Sequence, residues 1–219
     1  MTYSIGAKCS RTGMFGAAVT TSSIAVGSRC VFSRSGVGAV LTQHRTDPRV
    51  GPRGLDLLAQ GLSAKAVIER LTHNVTGIGW RQLAVVDKDG NTACYHGERI
   101  TSVHSAHAGV GCVAVGNIIR TPEVTRAMIA AFEAYSQQHL AERLVRALEA
   151  GYVAGGEFKQ IKSAGLLVVD RESFPLVDLR VDYDPQPLAQ LRWLWEIYEP
   201  SMGIFVDRAI DPDSVPGLA

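Results

Sequence analysis

The 219-residue sequence lacks any run of 18 or more apolar residues, so no stretch of it suits a membrane-spanning helix. It also lacks an excess of charge of either sign. Lys plus Arg is 22 and Asp plus Glu is 21, a formal charge of +1. That balance argues against nucleic acid or an anionic membrane surface as the main partner. Cysteine is sparse. Cys9, Cys30, Cys94 and Cys112 lie far apart with no CxxC, which fits buried small hydrophobes better than disulfides or a zinc knuckle. No GxGxxG, Walker loop or GxSxG is present, and no cofactor is expected. The start, MTYSIGAKCS, has no basic segment leading into an apolar one, so a cytoplasmic location is the expectation. Internal repeats, low-complexity runs and a linker that would split the chain are missing too.

What is present is an ordinary globular composition, 46% hydrophobic and 20% charged. It excludes a disordered, collagen-like or coiled-coil chain. The pattern predicts one domain over residues 1–200 and a C-terminal tail over 201–219. Thr2 to Lys8 and Gly13 to Thr21 read as a hairpin, and Gly36 to Thr42 as another strand. A helix is predicted from Asp47-Pro48 to Gln60, stopped by Gly61, and a second from Ser63. Arg81 to Asp87 and Thr92 to Gly97 flank Asp89-Gly90, a hairpin signal. His104 to Gly109 and Gly111 to Gly116 are further strands. Thr121-Pro122-Glu123 starts a helix, and another runs from Gln138 to Ala150, with Gly151 as its stop. Lys162 to Asp170 and Leu176 to Val181 are strands, and a helix begins at Asp184-Pro185. The tail after Pro200, with Pro212, Pro216 and Gly217, reads as extended. This order suits antiparallel sheets covered by helices, an α+β fold, and not strict strand–helix alternation.

Thr2 is the most informative position. A threonine exposed by loss of Met1 would carry a hydroxyl and its own α-amine on one residue, nucleophile and base together. The hairpin would bring the end of the second run, Thr20-Thr21-Ser22-Ser23, beside it. Thr21 and Ser22 are therefore candidate orienting groups or oxyanion donors, as is Asn117, which enters the loop after a later strand. A second polar cluster is Thr42-Gln43-His44-Arg45-Thr46-Asp47, between a strand and a helix. Arg45 could clamp a carboxylate, His44 could move a proton, and Thr42 and Gln43 could hold substrate. Arg81, entering a core strand, needs an acid or a ligand. Asp178 and Arg180 share one strand face, either in solvent or as a network supporting the site. His104/His107 and Cys94/His96 lack the spacing for a catalytic metal, and none is expected. Trp193, Trp195, Tyr198 and Phe205 fit either core or interface; a homo-oligomer is the expectation.

Several segments resemble one family. They are MTYSIGAK, Gly36 to Ala39 followed by Thr42-Gln43, Gly51-Pro52-Arg53-Gly54-Leu55 and Gly61-Leu62-Ser63-Ala64. Arg81 to Asp87, Val115-Gly116-Asn117 and Val177 to Asp182 belong to the same set. Together they resemble the bacterial family named domain of unknown function 1028, over about residues 1–198. The resemblance implies a four-layer αββα sandwich of the N-terminal-nucleophile (Ntn) hydrolase type, with Thr2 as nucleophile. The expected function is hydrolysis of a non-peptide carbon–nitrogen bond, amide or enamine-like, in a small carboxylate-bearing metabolite. Two alternatives stand beside it. One is a ligand-binding or assembly protein that keeps the fold. The other is a hydrolase or deaminase using Thr42 to His44 without an N-terminal nucleophile.

Overall fold

The computed structural model describes residues 1–215. The chain opens with the antiparallel pair β1 (Thr2–Lys8) and β2 (Phe15–Thr21), with Tyr3 opposite Thr20 and Lys8 opposite Phe15. A single turn, α1 (Gly27–Cys30), leads into β3 (Val31–Arg34) and β4 (Gly38–Gln43). Helices α2 (Val50–Ala59) and α3 (Ala64–Asn74) follow. Ser63 caps α3, its Oγ accepting from the Ala66 N–H at 3.4 Å. Next come β5 (Gln82–Val86), β6 (Thr92–His96), β7 (His104–Gly109) and β8 (Cys112–Asn117). Helices α4 (Glu123–Ala134) and α5 (Leu140–Val153) precede β9 (Ser163–Val169) and β10 (Val177–Val181). Helices α6 (Pro187–Tyr198) and α7 (Met202–Ile210) come last.

The strands form two antiparallel sheets, ordered β10-β9-β2-β1-β8-β7 and β3-β4-β5-β6. Side chains alternate between sheet faces with period two, and three apolar clusters result. Phe15, Ala17 and Val19 of β2 and Val113 and Val115 of β8 meet Leu41, Ala84 and Val86 of the smaller sheet. On its other face the larger sheet packs Tyr3 and Ile5 against Met128, Phe132, Leu144, Leu148 and Trp195 of α4, α5 and α6. The smaller sheet packs Val40, Leu83 and Val85 against Leu55, Leu58, Val67 and Leu71 of α2 and α3. Full burial of each such large apolar side chain is worth about 1.5–3 kcal/mol. The fold is thus mixed α+β, with antiparallel sheets and helices.

Two expectations are corrected. Helix α5 does not stop at Gly151 but runs through it to Val153. A Cβ on Gly151 would lie 2.9 Å from Met128 Cγ and 3.1 Å from Tyr3 Cε2, so this glycine serves close packing rather than termination. The tail is not extended: residues 202–210 are helical, and the Phe205 ring lies tilted against Tyr198 with ring centroids 5.6 Å apart. Its apolar residues have a helix surface to lean on, which outweighs the breaker signal of Pro200. Pro216 and Gly217 lie outside the described residues. Trp195 is core, its Nε1 donating to Glu142 Oε2 at 2.9 Å, whereas Trp193 is exposed.

Strand β4, which leads to the polar end of the molecule, depends on the glycine that starts it. Gly38 has φ +153°, and a Cβ there would fall 2.3 Å from the Val86 carbonyl oxygen across the strand pair. Nearby Gly36, at φ +67°, has nothing within 4 Å of such an atom. Gly38→Ala should therefore lower unfolding stability by about 3 kcal/mol through backbone collision. Gly36→Ala should cost only the left-handed backbone penalty, about 1 kcal/mol. Urea unfolding of the two variants checks the difference, and equal losses would contradict it.

Candidate functional site

At one end of the two sheets the layer between them turns from apolar to polar. Alternation puts Ser4 on the face of Gly6, Gln43 with Leu41, Gln82 with Ala84, and Asn117 with Val115. All four are fully buried. Ser4 Oγ donates to Gln43 Oε1 at 2.7 Å. Gln43 Nε2 donates to Gln82 Oε1 at 2.6 Å and to the Thr2 carbonyl at 3.3 Å. Asn117 Nδ2 donates to the same Gln82 oxygen at 2.9 Å. Gln82 Nε2 donates to the Gly116 carbonyl at 2.9 Å and to His96 Nδ1, also at 2.9 Å. With its oxygen taken by two donors, Gln82 can present only its NH2 to His96. His96 must then accept at Nδ1, the neutral form, and burial pushes its pKa down to about 4.

This network sits beneath Thr2. Thr2 opens β1, opposite Asn117 of β8, and its Oγ1 lies 3.3 Å from Thr21 Oγ1. Both hydroxyls donate to the Met1 carbonyl. Ser22 Oγ touches Met1 Sδ at 3.7 Å. The Ser22 N–H donates to Glu157 Oε2 at 3.1 Å. Glu157 is only 5% exposed, and its other oxygen, Oε1, has no partner. Asn117 Oδ1 is likewise buried without a partner. Burial raises the Glu157 carboxyl to about 7, against the pull of the chain's amino group. Burial also lowers the Met1 α-amine from its usual 8.0, while the Glu157 charge opposes that shift. Two buried acceptors without donors therefore flank the first residues of the chain.

A cleft of about 390 Å³ opens over Met1, lined also by His44, Arg45, Trp80, Arg99, Thr101, Ser102 and Ile118. His44 (φ +56°), Arg45 (φ +44°) and Ile118 (φ +52°) hold left-handed backbone, unusual for residues with a Cβ and most of all for a β-branched one. Such conformations store roughly 1–3 kcal/mol each and gather at functional sites. The turn is fixed by Trp80. His44 Nδ1 donates to the Trp80 carbonyl at 2.8 Å, and its ring stacks on the indole. The Arg45 guanidinium lies 3.7 Å from the indole centre. Burial lowers the His44 pKa, so Nε2 is an unprotonated acceptor near neutral pH.

Of the residues singled out in the sequence, Thr2, Thr21, Ser22, Gln43 and Asn117 gather at this end of the sheets, with His44 and Arg45 in the cleft above. Thr42 does not join them. It points to the α2/α3 side with Val40, its hydroxyl 3.5 Å from the Asp47 carbonyl. The extended backbone at Arg81 puts that side chain on the Leu83 face, where its charge acts on Asp47. Asp178 and Arg180 pair with each other at 2.8 Å on the edge strand β10, partly exposed and away from the cleft. Sequence reasoning missed Glu157, Trp80 and Arg99; it named Gln82 only beside Arg81 and weighed His96 only as a metal ligand. Gly155-Gly156 just before Glu157 was a usable signal, since both adopt positive φ to turn the chain inward.

The raised carboxyl makes a pH prediction. Below about pH 4.5, its ordinary value, Glu157 is neutral whether the chain is folded or not, and burial costs nothing extra. Between 4.5 and about 7 the unfolded chain ionises while the folded one resists, so stability falls as pH rises through that window. Glu157→Gln should remove this loss. Relative to the parent it should gain nothing below pH 4.5 and roughly 3 kcal/mol above pH 7, at about 1.4 kcal/mol per pKa unit. Urea unfolding at a series of pH values reads it, and a gain independent of pH would contradict the assignment.

Among known proteins, the chain matches DUF1028, a family of unknown function, over residues 2–191. The crystal structure of protein SPO2555 from Silicibacter pomeroyi, itself of DUF1028, superposes with a TM-score of 0.82 at 30% identity. That match covers 90% of this chain and 88% of the other. Anbu (ancestral beta-subunit) from Yersinia bercovieri is similar at a TM-score of 0.42 and 12% identity, over 99% of each chain. A search of the curated proteins finds no match. No helix among the described residues is long and apolar enough to cross a membrane. On its match over residues 2–191 and its likeness to the Silicibacter protein, the chain belongs to the DUF1028 family.

Proposed function

We propose that the protein hydrolyses a non-peptide carbon–nitrogen bond of a small carboxylate-bearing metabolite, with Thr2 as nucleophile after Met1 is removed. The three apolar clusters and two sheets are read as a four-layer αββα sandwich of the Ntn-hydrolase type. The observation that carries the reading is the pair of donor-less buried acceptors, Asn117 Oδ1 and Glu157 Oε1, beside a buried threonine hydroxyl. A free α-amine on Thr2 is a group that would supply donors there. Loss of Met1 would also release the Thr2 and Thr21 hydroxyls from the Met1 carbonyl that now accepts from both.

The chemistry then balances as follows. Thr2 Oγ attacks the substrate carbonyl while its proton passes to the α-amine, the base carried on the same residue. The carbon–nitrogen bond breaks, the leaving nitrogen takes that proton, and the acyl group stays on Thr2 as an ester. Water hydrolyses the ester to a carboxylic acid and restores the hydroxyl. Thr21 Oγ and the second N–H of Asn117 Nδ2 are the donors for the oxyanion. Arg45 holds the substrate carboxylate, and His44 Nε2 accepts from the substrate's N–H.

A hydroxyl-directed electrophile should label Thr2 in the parent and leave Thr2→Ala unlabelled. In a screen of small carboxylated amides, Thr2→Ala should lose turnover by roughly 10³ or more, while Thr2→Ser keeps part of it. Turnover that survives Thr2→Ala would overturn the proposal.

A further inference from the structure

We infer that the cleft over Met1 is a dianion site, built for an amide whose amine half is a dicarboxylate, the class of N-acylated acidic amino acids. Its charged side chains are two guanidiniums, Arg45 and Arg99, and no acid lines it. Trp80 holds both, with Arg45 3.7 Å and Arg99 5.6 Å from the indole centre. Arg45 makes no ion pair among the described residues. Arg99 has only Glu98 at 4.0 Å, with both side chains more than half exposed, a contact worth little. Two guanidiniums held on one indole and left without an acid match a ligand of charge −2, each fork taking one carboxylate.

Two independent observations narrow the class. Ser102 lines the cleft, and its hydroxyl, buried just behind the wall, has no partner, so a polar group is left unused beside the cleft. His44 donates at Nδ1 to the Trp80 carbonyl, which leaves Nε2 to accept. A simple dicarboxylate offers no donor for that nitrogen, whereas an amide N–H does. The left-handed backbone at His44 and Arg45 brings both residues to the cleft wall, His44 half-buried and Arg45 exposed. Arg99 is thus the specificity-determining residue, in the place that sequence reasoning gave to Arg81. Cleavage of such an amide rests on the Thr2 reading: the acyl group passes to Thr2 Oγ, the acidic amino acid leaves, and water releases the acid. Binding does not rest on it.

The test is calorimetric titration of the full-length Thr2→Ala chain, with loss of Met1 first verified by mass. N-acetylglutamate should bind about tenfold or more tightly than N-acetylglutamine, which lacks one carboxylate, and more tightly than glutarate, which lacks the amide. Arg99→Gln, a change at an exposed side chain, should erase the preference for N-acetylglutamate over N-acetylglutamine. No binding of N-acetylglutamate, equal affinities, or a preference that survives Arg99→Gln would overturn the inference. Tight, Arg99-dependent binding without glutamate release by the parent would overturn the Thr2 chemistry and uphold the dianion site.

Discussion

Everything at the candidate site depends on one buried set of amides, Gln43, Gln82 and Asn117, clasped between the two sheets. Buried amides are tolerated only when their hydrogen bonds are made, and here nearly all are. Gln43 and Gln82 come from the smaller sheet, Asn117 and the Thr2 and Gly116 carbonyls from the larger. The bonds therefore lock the two sheets in one relative register at the end where Thr2 begins. Below this end an apolar cluster packs the same layer, and it resists sliding less specifically. The exceptions are informative. Two acceptors, on Asn117 and Glu157, are left without donors beside Thr2, where the account places a freed amine.

The cleft is held by a different device. Three residues with a Cβ adopt left-handed backbone around it, and Trp80 is what two of them lean on. The indole holds a histidine acceptor and two guanidiniums at the mouth, while Met1 lines the cleft above Thr2 and the buried amide network. The rigid network and the strained, preset wall together divide the work. On the proposed reading, the reacting group lies beneath the cleft and the wall selects the ligand.

Much of the fold was legible because small-residue strands, Asp89-Gly90, Ser63 and Gly61 act locally. The nearness of Thr2 to Thr21 followed from a hairpin register alone. What escaped was non-local or turned on parity. Arg81 and Gln82 are neighbours, but period-two alternation sends Arg81 to the α2/α3 face and Gln82 to the site. Glu157 lies 155 residues from Thr2 in a loop, and only its inward turn at Gly155-Gly156 betrays it. Gly151 misleads because a glycine needed for close helix packing looks like a helix stop. The tail was misjudged because Pro200 outweighed the apolar residues that fold α7 onto Tyr198.

The most direct measurement is the intact mass of the protein expressed without a tag. The account predicts a mass short by one methionine, with Thr2 as the first residue and its amine free beside Glu157. A mass that retains Met1 in material that turns over substrate would contradict it, because the Thr2 and Thr21 hydroxyls would still be bound to the Met1 carbonyl.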